Sequence, residues 1–213
     1  MGRRKVRTGA LRDELLSVAT RLLAEGGTGA VTTRAVAAGG GTSLAAVNEL
    51  FGGKPGLIRA IFAAGFARLA ADLRALEATG DPEADVVALA FAVRSFARRH
   101  PALYEVMFSR PFAEFSPGEQ DVRSAEAIYG VVVGRVAALL GPGRPKGAAR
   151  DVAVGLFAVV QGLVGLEASG LLGGGSEECD RRFRLTFTAS LHGLRDATRA
   201  SSRAGGLDSP EET

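Results

Sequence analysis

The sequence has no tryptophan, one cysteine, two histidines and two tyrosines among its 213 residues. Each scarcity excludes something. Cys179 alone cannot close an intramolecular disulfide, which fits a reducing compartment. His100 and His192 have no Cys, Asp or Glu at ligand spacing, so no metal site is expected. No Gly-x-Ser-x-Gly elbow occurs. Gly52-Gly53-Lys54-Pro55 lacks the Ser or Thr that follows lysine in a phosphate loop. The expectation is therefore no enzyme and no cofactor. The basic start has no apolar stretch long enough for a signal peptide, which predicts a cytoplasmic protein. The most apolar stretch, Val152 to Leu172, is interrupted by Gln161 and Glu167 and is rich in glycine. A spanning helix needs roughly 20 apolar residues with few polar ones, so no membrane is expected.

Hydrophobic residues make up 46% of the chain and aromatics only 6%, so the core is built from Ala, Leu and Val. β-Branched runs bounded by turn signals are scarce. This balance predicts an all-α protein. Charge is unevenly placed. Residues 1–60 carry nine bases and four acids, net +5, and the remainder carries 17 and 19, net −2. A basic head on a slightly acidic body suits a phosphate-binding module joined to a second function.

Hydrophobic spacing and turn residues divide the chain into about nine helices. Residues 1–9 read as a flexible basic arm. Leu11, Leu15, Val18, Ala19, Leu22 and Leu23 form the first helical stripe, stopped at Gly26-Gly27. Two short helices follow, about 32–38 and 43–51, separated by Gly39-Gly40-Gly41 and capped by Thr32 or Thr33 and by Thr42 or Ser43. Pro55 opens a long helix that Gly80 closes. Asp81-Pro82 starts the next helix, and His100-Pro101 marks a restart. The short aromatic segment after it runs from Leu103 to Phe115, and a further stripe runs from Val122 to Leu139. Residues 141–147 form a Gly- and Pro-rich loop. The last helices span about 148–171 and 177–198, and residues 200–213 read as a disordered tail.

Three short helices within 51 residues, with a glycine turn between the second and third, describe a helix-turn-helix. Ala37, Val47 and Phe51 are placed to pack inward, and Ser43 to cap the third helix. The run Thr32-Thr33, Val36-Ala37, Gly40-Gly41-Thr42-Ser43, Val47-Asn48, Leu50-Phe51, Lys54 and Leu57 resembles the TetR family of regulators, with the spacing intact over about residues 10–62. The family's usual tyrosine is Asn48 here, and the ring two positions on is Leu50. Asn48 keeps a hydrogen bond to offer and Leu50 does not. Segment 100–108, with Phe112 and Phe115, is similar to a C-terminal variety of that family labelled for a Trp-His-Gly motif.

The resemblance implies a helix-turn-helix DNA-binding domain at 10–54 and an effector-binding and dimerisation domain at 55–199. It implies double-stranded DNA as partner, read as a pseudo-palindromic operator by a homodimer joined through the last two helices. Ser43, Leu44, Ala45 and Asn48 would face the major groove. Thr33, Arg34 and Lys54 would hold phosphates. A small apolar effector would meet Phe96, Tyr104, Met107, Phe108, Phe112 and Tyr129, with Gln161 as a polar contact. Aromatics at helical spacing are more often plain core, and that reading stays open. So does a dimer whose head no longer reads a specific operator, since Leu50 and three adjacent glycines loosen the motif.

Overall fold

A computed structural model describes residues 2–109, 112 and 118–204. Among them are nine helices and no strand, as composition predicts. They are α1 (Gly2–Ala30), α2 (Thr33–Gly39), α3 (Leu44–Phe51), α4 (Lys54–Arg74), α5 (Pro82–Arg99), α6 (Pro101–Phe108), α7 (Glu119–Leu140), α8 (Ala148–Ala168) and α9 (Ser176–Ala204). The chain divides into two compact units, Met1–Ala71 with Phe96–Ala127, and Asp72–Ser95 with Ile128–Thr213. A boundary at 54/55 does not coincide with this packing division.

Several helix ends depart from the sequence reading for visible reasons. Residues 2–9, expected as a flexible arm, form the opening turns of α1. Arg3, Arg4, Lys5 and Arg7 are adequate helix formers, and no breaker stands among them. Gly26-Gly27 does interrupt α1. The backbone leaves the helix at Gly27 (φ 66°, ψ −165°) and one more turn follows to Ala30. α4 ends at Arg74, before Gly80. α6 stops at Phe108, and most of the segment behind it, including Phe115, lies outside the described residues. α9 continues to Ala204. The rest of the tail, 205–213, also lies outside them.

In the first unit, α1 packs on α2, α3 and α6. Leu15, Val18, Ala19, Leu23, Val36, Ala37, Val47 and Phe51 are buried there. Gly39 and Gly40 lie directly against α1. A Cβ on Gly39 would fall 2.7 Å from Val18 Cγ1, and one on Gly40 would collide with Leu15 Cδ2. Gly41 turns the chain at φ 60°, a region L side chains rarely adopt. The three glycines thus close the turn and bring α2 onto α1. Asp121, buried in the first turn of α7, accepts from the Gly118 N–H (2.8 Å) and from Arg59 Nε on α4 (3.1 Å).

In the second unit, α8 packs on α9. Val152, Leu156, Val160, Phe183, Phe187 and Leu191 are buried there, and Leu156, Val160 and Phe187 border a cleft with Val86, Leu89 and Val93 of α5. Arg94 is 3% exposed. Its guanidinium is gripped by both oxygens of Glu167 (2.6 and 2.7 Å) and by Asp180 (2.7 Å), and lies 4.9 Å from the Phe183 ring centre. The Glu167 hydrogen bonds, helped by Asp180, raise its pKa against burial, so it stays charged. At the other end of this stretch of α5, Asp85 accepts from the Thr79 backbone N–H and hydroxyl (2.8 Å each) and from Arg135 (2.8 Å). The Thr79 N–H above all, then its hydroxyl and Arg135, hold Asp85 below its ordinary pKa.

Candidate nucleic-acid interface

α2, the glycine turn and α3 form a helix-turn-helix built from local chemistry. Thr32 caps α2, its Oγ1 accepting from the Ala35 N–H (3.0 Å), and Ser43 caps α3, its Oγ accepting from the Ala46 N–H (3.1 Å). Of the alternatives open in sequence, Thr32 and Ser43 are the caps. α3 ends at Gly52 in the left-handed region (φ 74°), with its N–H donating to the Asn48 carbonyl. Gly56 must be glycine, because a Cβ there would overlap the Phe51 carbonyl. That close approach sets the start of α4, and with it Lys54, beside the end of α3.

Burial sorts the face of α3. Val47 and Phe51 are buried, as their spacing predicts, and Leu50 is half-buried. Ser43, Leu44, Ala45 and Asn48 are exposed, and Leu44 keeps 40% of its surface in solvent. Arg34 is exposed, and Thr33 and Lys54 are half-buried. The Lys54 Nζ lies 5.9 Å from the Phe112 ring centre. The seven expected DNA residues therefore share one unit, at the start of α2, along the first turns of α3 and at the start of α4. One nearby feature escaped the sequence reading. The Arg12 guanidinium of α1 sits 5.0 Å from the Phe51 ring centre. No periodicity within a helix reveals a contact between residues 39 positions apart.

The expected effector residues fall in different units. Phe96, Tyr104, Met107, Phe108 and Phe112 belong to the first, and Tyr129 and Gln161 to the second. Part of the first group is close-packed. Tyr104 and Phe108 rings lie 4.6 Å apart, Phe108 and Phe66 lie 5.3 Å apart, and Phe66 and Phe62 lie 4.7 Å apart. Phe96, Tyr104, Met107 and Phe112 are buried, and burial pushes the Tyr104 phenol above its ordinary pKa. Met107 leaves no room on α4, since a Cβ on Gly65 would sit 2.7 Å from its Sδ. Tyr129 is half-buried beneath Arg150, 5.7 Å away. The second unit holds a cleft of about 30 Å³ lined by Val86, Leu89, Val93, Val132, Leu156 and Phe157 among others, none of them an expected effector residue.

α8 presents two different faces. Gly155 faces α9, where a Cβ would lie 2.9 Å from Leu194 Cδ1. Val154, Ala158, Gly162, Gly165 and Leu166 are exposed. On α9, Leu185, Ala189 and Gly193 form a matching exposed stripe at four-residue spacing. By length and composition alone α8 could cross a membrane, with mean hydropathy 1.6. Its apolar character is instead shared between the buried face and this exposed stripe.

Comparison with known proteins agrees with this geometry. Residues 15–61 match the model of bacterial regulatory proteins of the tetR family, and residues 86–190 match that of the tetracyclin repressor-like C-terminal domain. A protein of unknown function from Rhodococcus sp. RHA1 is 30% identical, with a TM-score of 0.70 over 88% of this chain and 95% of its own. Two more distant structures share the fold. SCO7222, a TetR from Streptomyces coelicolor, has 19% identity and a TM-score of 0.61 over 89% and 97% of the two chains. A TetR variant from Acinetobacter baumannii AYE, in complex with minocycline, has 17% identity and a TM-score of 0.63 over 86% and 96%. No curated protein matches the sequence. Two family models in the right order, laid over a capped helix-turn-helix and an all-helical body, place this chain in the TetR family of transcription regulators.

Proposed function

We propose that the chain acts in the cytoplasm as a homodimeric repressor that leaves its operator when a small apolar molecule binds. The observation that carries the DNA half is the exposed α3 tip. Ser43, Leu44, Ala45 and Asn48 face solvent while Val47 and Phe51 anchor the helix. In this reading Leu44 or Ala45 meets a thymine methyl, and Asn48 reads adenine or holds a phosphate. Thr33, Arg34 and Lys54 hold the backbone on either side. The head at 10–54 reads, and the remainder to 199 dimerises and senses.

The exposed stripe of α8 and α9 supports the dimer. Small residues let helices approach closely, and Val154, Leu166 and Leu185 supply apolar area. A two-fold pair would set its recognition helices about one helical turn of DNA apart, roughly 34 Å. For the effector, the complex of the Acinetobacter relative with minocycline supports a small-molecule ligand in this fold. The lining available here is apolar, either the aromatic group around Tyr104 and Phe108 or the cleft against Phe187. Any ligand that prefers the DNA-free state lowers DNA affinity by the factor by which DNA lowers ligand affinity.

A head that has lost its operator is the second reading, suggested by Leu50 and the glycine run. Against it, Gly39 and Gly40 seat α2 on α1, and Gly41 makes the turn. Footprinting on the region upstream of the protein's own gene tests the proposal. The expected result is protection of two symmetric half-sites about 10 base pairs apart. Uniform cleavage across that region, at protein concentrations where the dimer is present, would sink it.

A further inference from the structure

The head carries a cation placed over an aromatic ring. Arg12 is exposed on α1, and its guanidinium lies 5.0 Å from the centre of the Phe51 ring, at the end of α3. No carboxylate among the described residues neutralises it. A guanidinium over a ring uses its face for that attraction and leaves its edge, with five N–H donors, unspent. Those donors match the two oxygens of a phosphate. Phe51 is itself fixed. It is 8% exposed, and its carbonyl lies close against Gly56. Just beyond the ring, Lys54 at the start of α4 lies over Phe112. The end of α3 is thus bordered by two positive groups, each held over a ring.

We infer that Arg12 is a phosphate-binding residue of this head and that the Phe51 ring is its positioning residue. The assignment rests on the DNA-binding reading above. Phe51 then has two tasks: it plugs the core beneath α3 and orients a charge above it. Ring stacking restricts the side chain before DNA arrives, so less freedom is lost on binding.

Fluorescence anisotropy separates the possibilities. The full-length protein is titrated with a labelled duplex from its own upstream region and with a shuffled duplex, over a series of salt concentrations. Arg12→Gln keeps length and polarity and removes the charge. It is expected to weaken binding to both duplexes by the same factor, about tenfold at about 50 mM salt, for two contacts per dimer. The slope of log K against log salt should fall by about two, one contact per protomer. Phe51→Leu keeps an apolar plug, and thermal melting checks that the head is folded. In that background Arg12→Gln should cost less than in the wild type, the signature of a coupled pair. Wild-type affinity and slope in Arg12→Gln overturn the assignment alone. Equal losses in both backgrounds overturn the role of Phe51. Wild-type protein that binds neither duplex overturns the DNA reading and this assignment with it.

Discussion

Single residues decide how tightly the head is assembled. Gly40 has Leu15 where a side chain would begin. Gly40→Ala should therefore lose about 1–3 kcal/mol of stability, the usual range for overpacking a close contact. Gly41→Ala has open space but a positive φ, and should lose about 1 kcal/mol. Urea denaturation of both variants checks the order; a neutral Gly40→Ala would show that α2 does not seat on Leu15. In the second unit, Arg94→Met removes a buried cation and strands Glu167. It should cost about 3 kcal/mol, because breaking a buried pair leaves an uncompensated charge. Only part of this was legible in the sequence. The glycine run could be seen, but its meaning could not, since Leu15 and Val18 lie more than 20 positions away. Arg94 read as one more arginine in a helix, because its partners Glu167 and Asp180 are more than 70 positions distant.

Elements were more legible than contacts, because helices are written in local spacing. The breaks at Gly26-Gly27 and His100-Pro101 and the helix start at Asp81-Pro82 stand in the structure where the sequence puts them, and the caps resolve to Thr32 and Ser43 from the two residues open at each. The misplaced ends share a cause: nothing local stops α1 before Gly2, and nothing local announces that α4 ends at Arg74. The start of α5 makes its own prediction. The folded pKa of Asp85 is lowered, so its contribution to stability is complete above the unfolded value near 3.8. That contribution is lost as pH falls below this value toward the folded pKa. The stability gap between wild type and Asp85→Asn, measured by urea unfolding, should therefore shrink as pH is lowered from about 6 to about 3. A gap that is constant with pH would mean that Asp85 titrates alike in both states. α8 makes another. Its apolar content looks the same from sequence whether it meets lipid, core or a partner, and only the split between Gly155 facing Leu194 and Gly162 facing solvent separates these faces. Val154→Glu together with Leu185→Glu should yield a folded monomer in detergent-free buffer, read by light scattering after gel filtration. A double variant that keeps twice the mass of the chain would place the seam elsewhere.

At the scale of the molecule, residues 1–60 are basic and the remainder is slightly acidic, a distribution that agrees with the TetR-family assignment. The proposed effector site is the least legible part. Of the expected effector aromatics, Tyr104 and Phe108 pack against each other, while the cleft in the second unit is lined by valines, leucines and two phenylalanines that no motif marks. A sequence records which residues are apolar, not where helices leave a gap. The DNA claim is the one on which the rest depends, and it is best tested by anisotropy titration of the wild-type protein with a labelled duplex from upstream of its own gene against a shuffled duplex of equal composition, at low and physiological salt. The expected result is tighter binding to the upstream duplex by about 10³ or more, with both affinities falling steeply as salt rises. Equal affinity for the two duplexes, or no binding to either at low salt, would contradict it.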